Sequence, residues 1–140
     1  AANDGFNLVT QQTAEWNAEK AQQIVQSVID AGTPFNVIYA ENDDMAKGAV
    51  AALDKANISH GVGKDVIVMG FDCNKWALEE LKAGNWNYDG QCNPFQASYI
   101  DEIIKKLENG ETISEKTIIM DEKCFDATTI TQEDVDNYGI

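Results

Sequence analysis

Two short stretches hold the residues best placed to do chemistry. Val37-Ile38-Tyr39-Ala40 runs into Glu41-Asn42-Asp43-Asp44, and Val66-Ile67-Val68-Met69-Gly70-Phe71 ends on Asp72. Each is an apolar β-type run that stops at polar groups and is followed by a helix-like pattern. In an open α/β sheet, ligands bind outside the carboxyl ends of the strands. Asn42 and Asp72 therefore face one crevice from two strands. A third run, Trp86 to Gln91, brings a second amide to the same edge, and Trp16 follows an earlier run. An amide carries donors and an acceptor, whereas a carboxylate only accepts. A sugar needs that mixture, because its hydroxyls both donate and accept. An indole can cover the apolar C–H face of the ring. Each residue also has a plainer role: Asn42 as turn former, Asp72 as helix cap, Gln91 as solvated amide, Trp16 as core. Their convergence on one edge favours the ligand reading.

Catalytic chemistry is poorly supported. A catalytic site needs a nucleophile, a base and an orienting group. The single histidine, His60, lies in a Gly-rich loop with no predicted partner, and Cys73 has no neighbouring base to lower its pKa. The chain has no GxGxxG, Walker-type, GxSxG or HExxH pattern. Asp43, Asp44 and Asp72 suggest a magnesium site of the response-regulator kind, but the lysine expected after the next strand is replaced by Gln91 and Cys92. Cys73, Cys92 and Cys124 lack zinc-ligand or redox spacing. They read as unpaired or singly paired thiols, with a Cys73–Cys92 disulfide as the alternative. No metal site and no cofactor is expected.

The elements that must position these groups follow from periodicity. Phe6–Thr10 reads as a strand. Thr13 is a plausible N-cap for a helix with Ala21, Ile24, Val25, Val28 and Ile29 on one face, stopped by Gly32 and Pro34. Asn36–Ala40 is the next strand. Asp43 then caps a helix burying Ala46, Ala49, Val50 and Leu53, whose small residues allow close approach to the sheet. After the strand Val66–Phe71, Asn74 caps a helix with Ala77, Leu78 and Leu81 inward. Trp86–Gln91 is a weaker strand. Asn93-Pro94 opens a helix with Pro at its first position. Phe95, Ile100, Ile103, Ile104 and Leu107 form its apolar face, and Gly110 ends it. Lys116–Met120 and Phe125–Thr129 read as strands. Thr131 with Asp134 makes a capping-box start to a terminal helix. Strands alternating with helices imply right-handed βαβ units, hence an α/β fold with a doubly wound, mainly parallel sheet.

The chain has 140 residues, one domain's worth or one lobe of something larger. Its net charge of -14 disfavours a nucleic-acid surface, which needs clustered cations, and an anionic membrane surface. It has no run of about 18 apolar residues, so no transmembrane helix is expected. It starts at Ala1 rather than Met, as a processed or excised piece would.

The motifs resemble those of type I periplasmic sugar-binding proteins, the ribose- and galactose/glucose-binding family of ABC transporter solute-binding proteins. Ile38-Tyr39-Ala40-Glu41-Asn42-Asp43-Asp44-Met45-Ala46-Lys47-Gly48-Ala49 resembles the family's Asn-Asp-x-Met-Ala-x-Gly-Ala turn. Gly70-Phe71-Asp72 resembles its Gly-Phe-Asp. Thr13-Ala14-Glu15-Trp16-Asn17 resembles its segment with a sugar-stacking aromatic. Gln91 with Pro94 resembles its Gln-x-Pro crossing segment, with one extra residue between, and Thr129 to Asp136 resembles its tail. The resemblance implies a Rossmann-like lobe and ligand contacts from Trp16, Asn42, Asp72 and Gln91. It also implies a monosaccharide ligand (pentose, hexose or related polyol), an ABC permease as partner, and an extracytoplasmic location, periplasmic or as a cell-surface lipoprotein. It implies a binding protein, not an enzyme. Either main motif alone also resembles the effector-binding modules of lac-repressor-family regulators.

By the same resemblance, residues 1–92 form most of the C-terminal lobe without its first strand. Residues 93–120 supply a helix and strand that pack with the absent N-terminal lobe, and 121–140 form a crossing segment and tail. The missing central strand, expected between Phe6–Thr10 and Val37–Ala40, would come from the N-terminal half of the same protein or another chain. Direct pairing of those two runs would exclude this. A gap of two strand spacings, roughly 9–10 Å, is the expectation.

Overall fold

The computed structural model describes residues 5–140, so the chain start at Ala1 lies outside the described residues. The elements run α1 (Ala18–Asp30), β1 (Val37–Tyr39), α2 (Asp43–Lys55), β2 (Ile67–Asp72), α3 (Lys75–Lys82), β3 (Tyr88–Gln91), α4 (Ala97–Glu108), β4 (Cys124–Asp126) and α5 (Gln132–Tyr138). The strands form one sheet in the order β1-β2-β3-β4. β1, β2 and β3 are parallel, and β4 returns antiparallel along β3. The expected α/β, mainly parallel sheet is present.

Strand register sorts the side chains into two faces. Ile38 lies beside Val68, and Gly70 beside Asp89. This face carries the core, where Leu53, Val66, Val68, Leu78, Leu81, Trp86 and Val135 are buried. Trp76 meets Trp86 edge-on at 5.9 Å. The other face carries Val37, Tyr39 and Ile67, all exposed. Tyr39 and Phe71 make an edge contact there at 5.3 Å. A Cβ on Gly90, register partner of Phe71, would fall 2.6 Å from the Phe71 ring. With no side chain at Gly90, the Phe71 ring has room to lie over β3.

α1 and α2 pack against each other so closely that a Cβ on Gly48 would stand 2.0 Å from the Ala18 carbonyl oxygen. This contact seats α1, and with it the turn that carries Trp16, on the helix that begins after Asn42.

Several local expectations are corrected. Phe6–Thr10 is no strand: it is exposed and pairs with nothing in the sheet. A β-type run stays single when no neighbour satisfies its backbone groups. Lys116–Met120 fails for the same reason, with Ile119 fully outside. Thr13 does not cap α1. It accepts from Glu15 N, and Asn17 caps the helix by accepting from Lys20 N. Glu15 and Trp16 have φ of 53° and 55°, which interrupts any helix running on from Thr13. The α2 cap is Asn42, not Asp43. α4 starts at Ala97 because Asn93 Oδ1 accepts from Phe95 N, so Asn93-Pro94 builds a turn ahead of the helix. No residue of α4 is buried, and its apolar face is uncovered. The last strand is shifted to Cys124–Asp126 because Asp126 turns the chain, accepting from Thr128 N.

The capping box of α5 is formed in full. Thr131 Oγ1 accepts from Asp134 N, and the Asp134 carboxylate accepts from Thr131 N. Thr131→Ala should cost about 0.5–2 kcal/mol, the usual range for a lost N-cap. Urea unfolding measures it, and an unchanged midpoint would show that α5 needs no cap.

Candidate functional site

The sheet edge at the carboxyl ends of β1, β2 and β3 brings three of the four expected residues together. Asn42 follows β1, Asp72 ends β2 and Gln91 ends β3 as the register partner of Asp72. Asn42 is nearly buried, and its Oδ1 accepts from Met45 N at 2.9 Å. The carbonyl end of the amide is thus committed to the helix cap. The NH2 end remains for Asp72 and for a ligand. Asn42 therefore fills the turn-forming role weighed for it, with its NH2 group left over.

Asp72 has φ of 125° and the next residue, Cys73, 60°, a pair of positive values that L-residues rarely adopt. Backbone strain of this kind clusters at functional sites. Burial is the main cause that raises the Asp72 pKa, with the Asp44 charge adding to it. The Asp43 backbone N–H and the Asn42 side chain hold it down. The carboxylate is half-buried, with the Asp43 N–H and the Asn42 amide as donors beside it.

Gln91 is fixed by the return strand. Its backbone N–H donates to Lys123 O, and its Oε1 accepts from Lys123 N at 3.2 Å. Its NH2 group is left as a donor. Beside it lies a cavity of about 310 Å³ lined by Gln91, Asn93, Phe95, Lys123, Tyr138 and Ile140. It sits where β3 and β4 leave the sheet, at the junction with α4 rather than in the crevice above Asn42 and Asp72.

Trp16 is 74% exposed. No hydrogen bond or ring contact joins it to the other three. Its turn leads directly into Ala18, the residue pressed on Gly48, and among the described residues no aromatic ring stacks on the indole.

Sequence reasoning missed Asp89 and misplaced Asp43. Both are fully buried on the core face. Asp43 Oδ2 accepts from the Asn74 backbone N–H at 2.8 Å and from its side-chain amide at 3.1 Å. The available signal was weak: Asp89 alternates with Tyr88 and stands beside Gly70, a position with no side chain of its own.

Of the remaining chemistry-bearing residues, His60 is structural. His60 Nδ1 donates to Asn85 O at 2.9 Å and Nε2 lies 3.1 Å from Asp54 Oδ1, so the ring ties its loop to two neighbours. All three cysteines are free, and burial pushes the Cys73 thiol up. The disulfide alternative is not formed. Among the described residues, no group of three or more His, Cys, Asp or Glu is arranged to hold a metal ion. Among them too, no helix is long and apolar enough to cross a membrane.

Comparison with known proteins agrees with this fold. A family model described as "Periplasmic binding protein domain" matches residues 1–112. The fructose import binding protein FruE of Bifidobacterium longum is 31% identical over 132 residues, 93% of this chain and 38% of that protein. The ribose import binding protein RbsB of Bacillus subtilis is 32% identical over 81 residues, 58% of this chain and 25% of that one. The chain thus spans well under half the length of these relatives. Among solved structures, a periplasmic solute binding protein of an ABC transporter from Actinobacillus succinogenes, with bound D-allose, superimposes with a TM-score of 0.75 at 30% identity. That match covers 93% of this chain and 43% of the other. A galactofuranose binding protein shares the fold with a TM-score of 0.82 at 22% identity, over 94% of this chain and 45% of its own. The chain belongs to the periplasmic binding protein domain family, in its type I sugar-binding branch.

Proposed function

We propose that this chain is part of a solute-binding protein that captures a monosaccharide and delivers it to an ABC permease. The ligand class is a pentose, hexose or related polyol. The observation that carries this reading is the set of donors and one acceptor at adjacent strand ends: the Asn42 amide, the Asp72 carboxylate and the Gln91 amide. These groups suit neighbouring hydroxyls, and Trp16 offers a free ring face for stacking. The protein is extracytoplasmic, in keeping with its family and its import-protein relatives. It binds rather than transforms its ligand.

The other half of the clamp lies outside this chain. Support comes from surfaces that a self-sufficient domain would cover. β1 is an edge strand, Val37, Tyr39 and Ile67 are exposed on one sheet face, and α4 exposes Ile100, Ile104 and Leu107. A further strand beside β1 and a second lobe against α4 would bury them, with residues 93–120 packing in that lobe and 121–140 crossing back. The amide protons on the outer edge of β1 should exchange with solvent quickly in this chain alone and slowly in the full-length protein. Equal rates in both would rule out a strand docked there.

A thermal-shift screen of pentoses, hexoses and polyols on the full-length protein tests the function. A ligand that binds the native state raises the melting temperature, by about 2.7 kcal/mol of stability at a hundred times Kd. A rise with at least one sugar is expected. No rise with any sugar, alongside a rise with a charged solute such as an amino acid, would overturn the reading.

A further inference from the structure

Beneath the strand ends lies a pair of acids that the sugar contacts do not use. Asp43 and Asp89 are both fully buried. Gly70 is the register partner of Asp89, and a Cβ on Gly70 would stand 2.5 Å from Asp43 Oδ1 and 2.7 Å from the Trp86 ring. The Asp43 carboxyl therefore lies over the bare backbone of Gly70, beside Asp89 and under Trp86. The register thus sets the two carboxyls side by side across Gly70, and each shifts the titration of the other. Asp43 Oδ2 is occupied by Asn74, and Asp89 Oδ1 faces Cys73 Sγ at 3.9 Å. Asp43 Oδ1 and Asp89 Oδ2 have no hydrogen-bond partner among the described residues.

Two buried carboxylates in contact, with no donor between them, repel at short range in a poorly polarisable setting. The charged and titratable groups acting on the pair are Asp72, from the end of β2, and Cys73, just after it. None is a cation. A hard metal ion would want six or more oxygens, and this site offers two free ones below an indole. A proton fits: it turns one oxygen into a donor and the other into its acceptor.

We propose that Asp43 and Asp89 share one proton between Asp43 Oδ1 and Asp89 Oδ2, and that this acid pair positions the strand ends carrying Asn42, Asp72 and Gln91. The second clause rests on the sugar-binding reading above. The pair joins the first turn of α2, the start of α3 through Asn74, and β3 two residues before Gln91. The proton is taken from solvent on folding, and the pair then carries a single negative charge. Burial is the main cause that pushes Asp43 up to about 6 and Asp89 up to about 8, with their mutual repulsion adding to the latter. These values belong to the pair as it titrates in two steps.

Raised folded values mean that the native state holds protons the unfolded chain has released. Stability from the pair is full below the ordinary carboxylate range near pH 4. It falls as pH rises and is gone above about pH 8. Between about pH 6 and 8, where the pair holds one proton, the folding constant should drop by up to tenfold per pH unit, and more steeply below about pH 6, where it holds two.

The test uses the full-length protein and Asp89→Asn, whose amide donates to Asp43 without needing a proton. Infrared difference spectra between wild type and D89N at pH 6.5 should show a protonated-carboxyl stretch in wild type only. Sugar affinity of the wild type, with the sugar identified by thermal shift, should weaken several-fold between pH 6 and 9, and D89N should flatten that profile. If D89N does not fold, Asp43→Asn places the same amide against the other acid and is measured in its place. Absence of the carboxyl band in wild type overturns proton sharing. A band with identical affinity profiles in both proteins overturns positioning. A band in a protein that binds no sugar overturns the sugar reading and the positioning with it, while proton sharing stands.

Discussion

Asp72→Ala should weaken sugar binding by the full-length protein about tenfold or more, without lowering the melting temperature of the unliganded protein. A hydrogen bond to a charged group contributes about 1.5–3 kcal/mol, and 1.4 kcal/mol is one decade in affinity. The stability half follows from the pKa direction. Burial raises the Asp72 pKa, and the Asp44 charge adds to that. The folded chain therefore favours the protonated form more than the unfolded chain does. At pH 7, above the ordinary carboxylate range, ionised Asp72 works against folding, and its removal relieves that cost. Weaker binding with equal or higher stability is the signature of a side chain kept for its ligand. Calorimetric titration with the sugar gives the first quantity and a melt without sugar the second. An unchanged Kd would remove Asp72 from the site. A large drop in melting temperature would make it structural.

Gly48→Ala should destabilise the fold by about 2 kcal/mol, against the usual sign of that substitution in a helix. Alanine is favoured over glycine in a helix interior by about 0.8–1 kcal/mol. Here the new Cβ would stand 2.0 Å from the Ala18 carbonyl oxygen and 2.7 Å from its carbon. Both are backbone atoms, so no side chain can swing aside and the two helices must separate. Overpacking costs typically about 1–3 kcal/mol, occasionally more, and this contact lies at the severe end. The cost outweighs the propensity gain. Because α1 carries the Trp16 turn, the shift should also weaken sugar affinity, and Gly48→Val should be worse on both counts. A rise in melting temperature for Gly48→Ala would show that α1 is not held so close to α2.

Much of this was legible in the chain. The helices α1, α2 and α3 and the strands β1, β2 and β3 follow from local signals: apolar spacing, Gly and Pro stops, and runs of Val and Ile ending in polar groups. Asn42, Asp72 and Gln91 meet at one edge because parallel strands align their ends, which a chain order of strand and helix already implies. Local signals failed where an element needs a neighbour. Phe6–Thr10 and Lys116–Met120 have strand-like residues and no strand beside them. The α4 stripe at Ile100, Ile104 and Leu107 is a buried face by pattern and an open one in this chain.

Caps were ambiguous wherever two capping residues adjoin. In Asn42-Asp43-Asp44 any of the three suits an N-terminus, and only the fold decides. Asn42 reaches Met45 N, while Asp43 turns inward to Asn74. The motif is local, but the burial that separates the two roles is not.

By itself, then, the sequence determined the strand ends and the chemistry they carry. Those depend on residue type, on period and on the turn after each strand. The tertiary structure alone decided that Asp43 and Asp89, far apart in the chain, lie together against Gly70. That contact depends on the register of β2 with β3 and on the absence of a side chain at one position between them. Desolvation and repulsion then act on the pair jointly, through the space it occupies, and neither is a property of the residues taken one at a time.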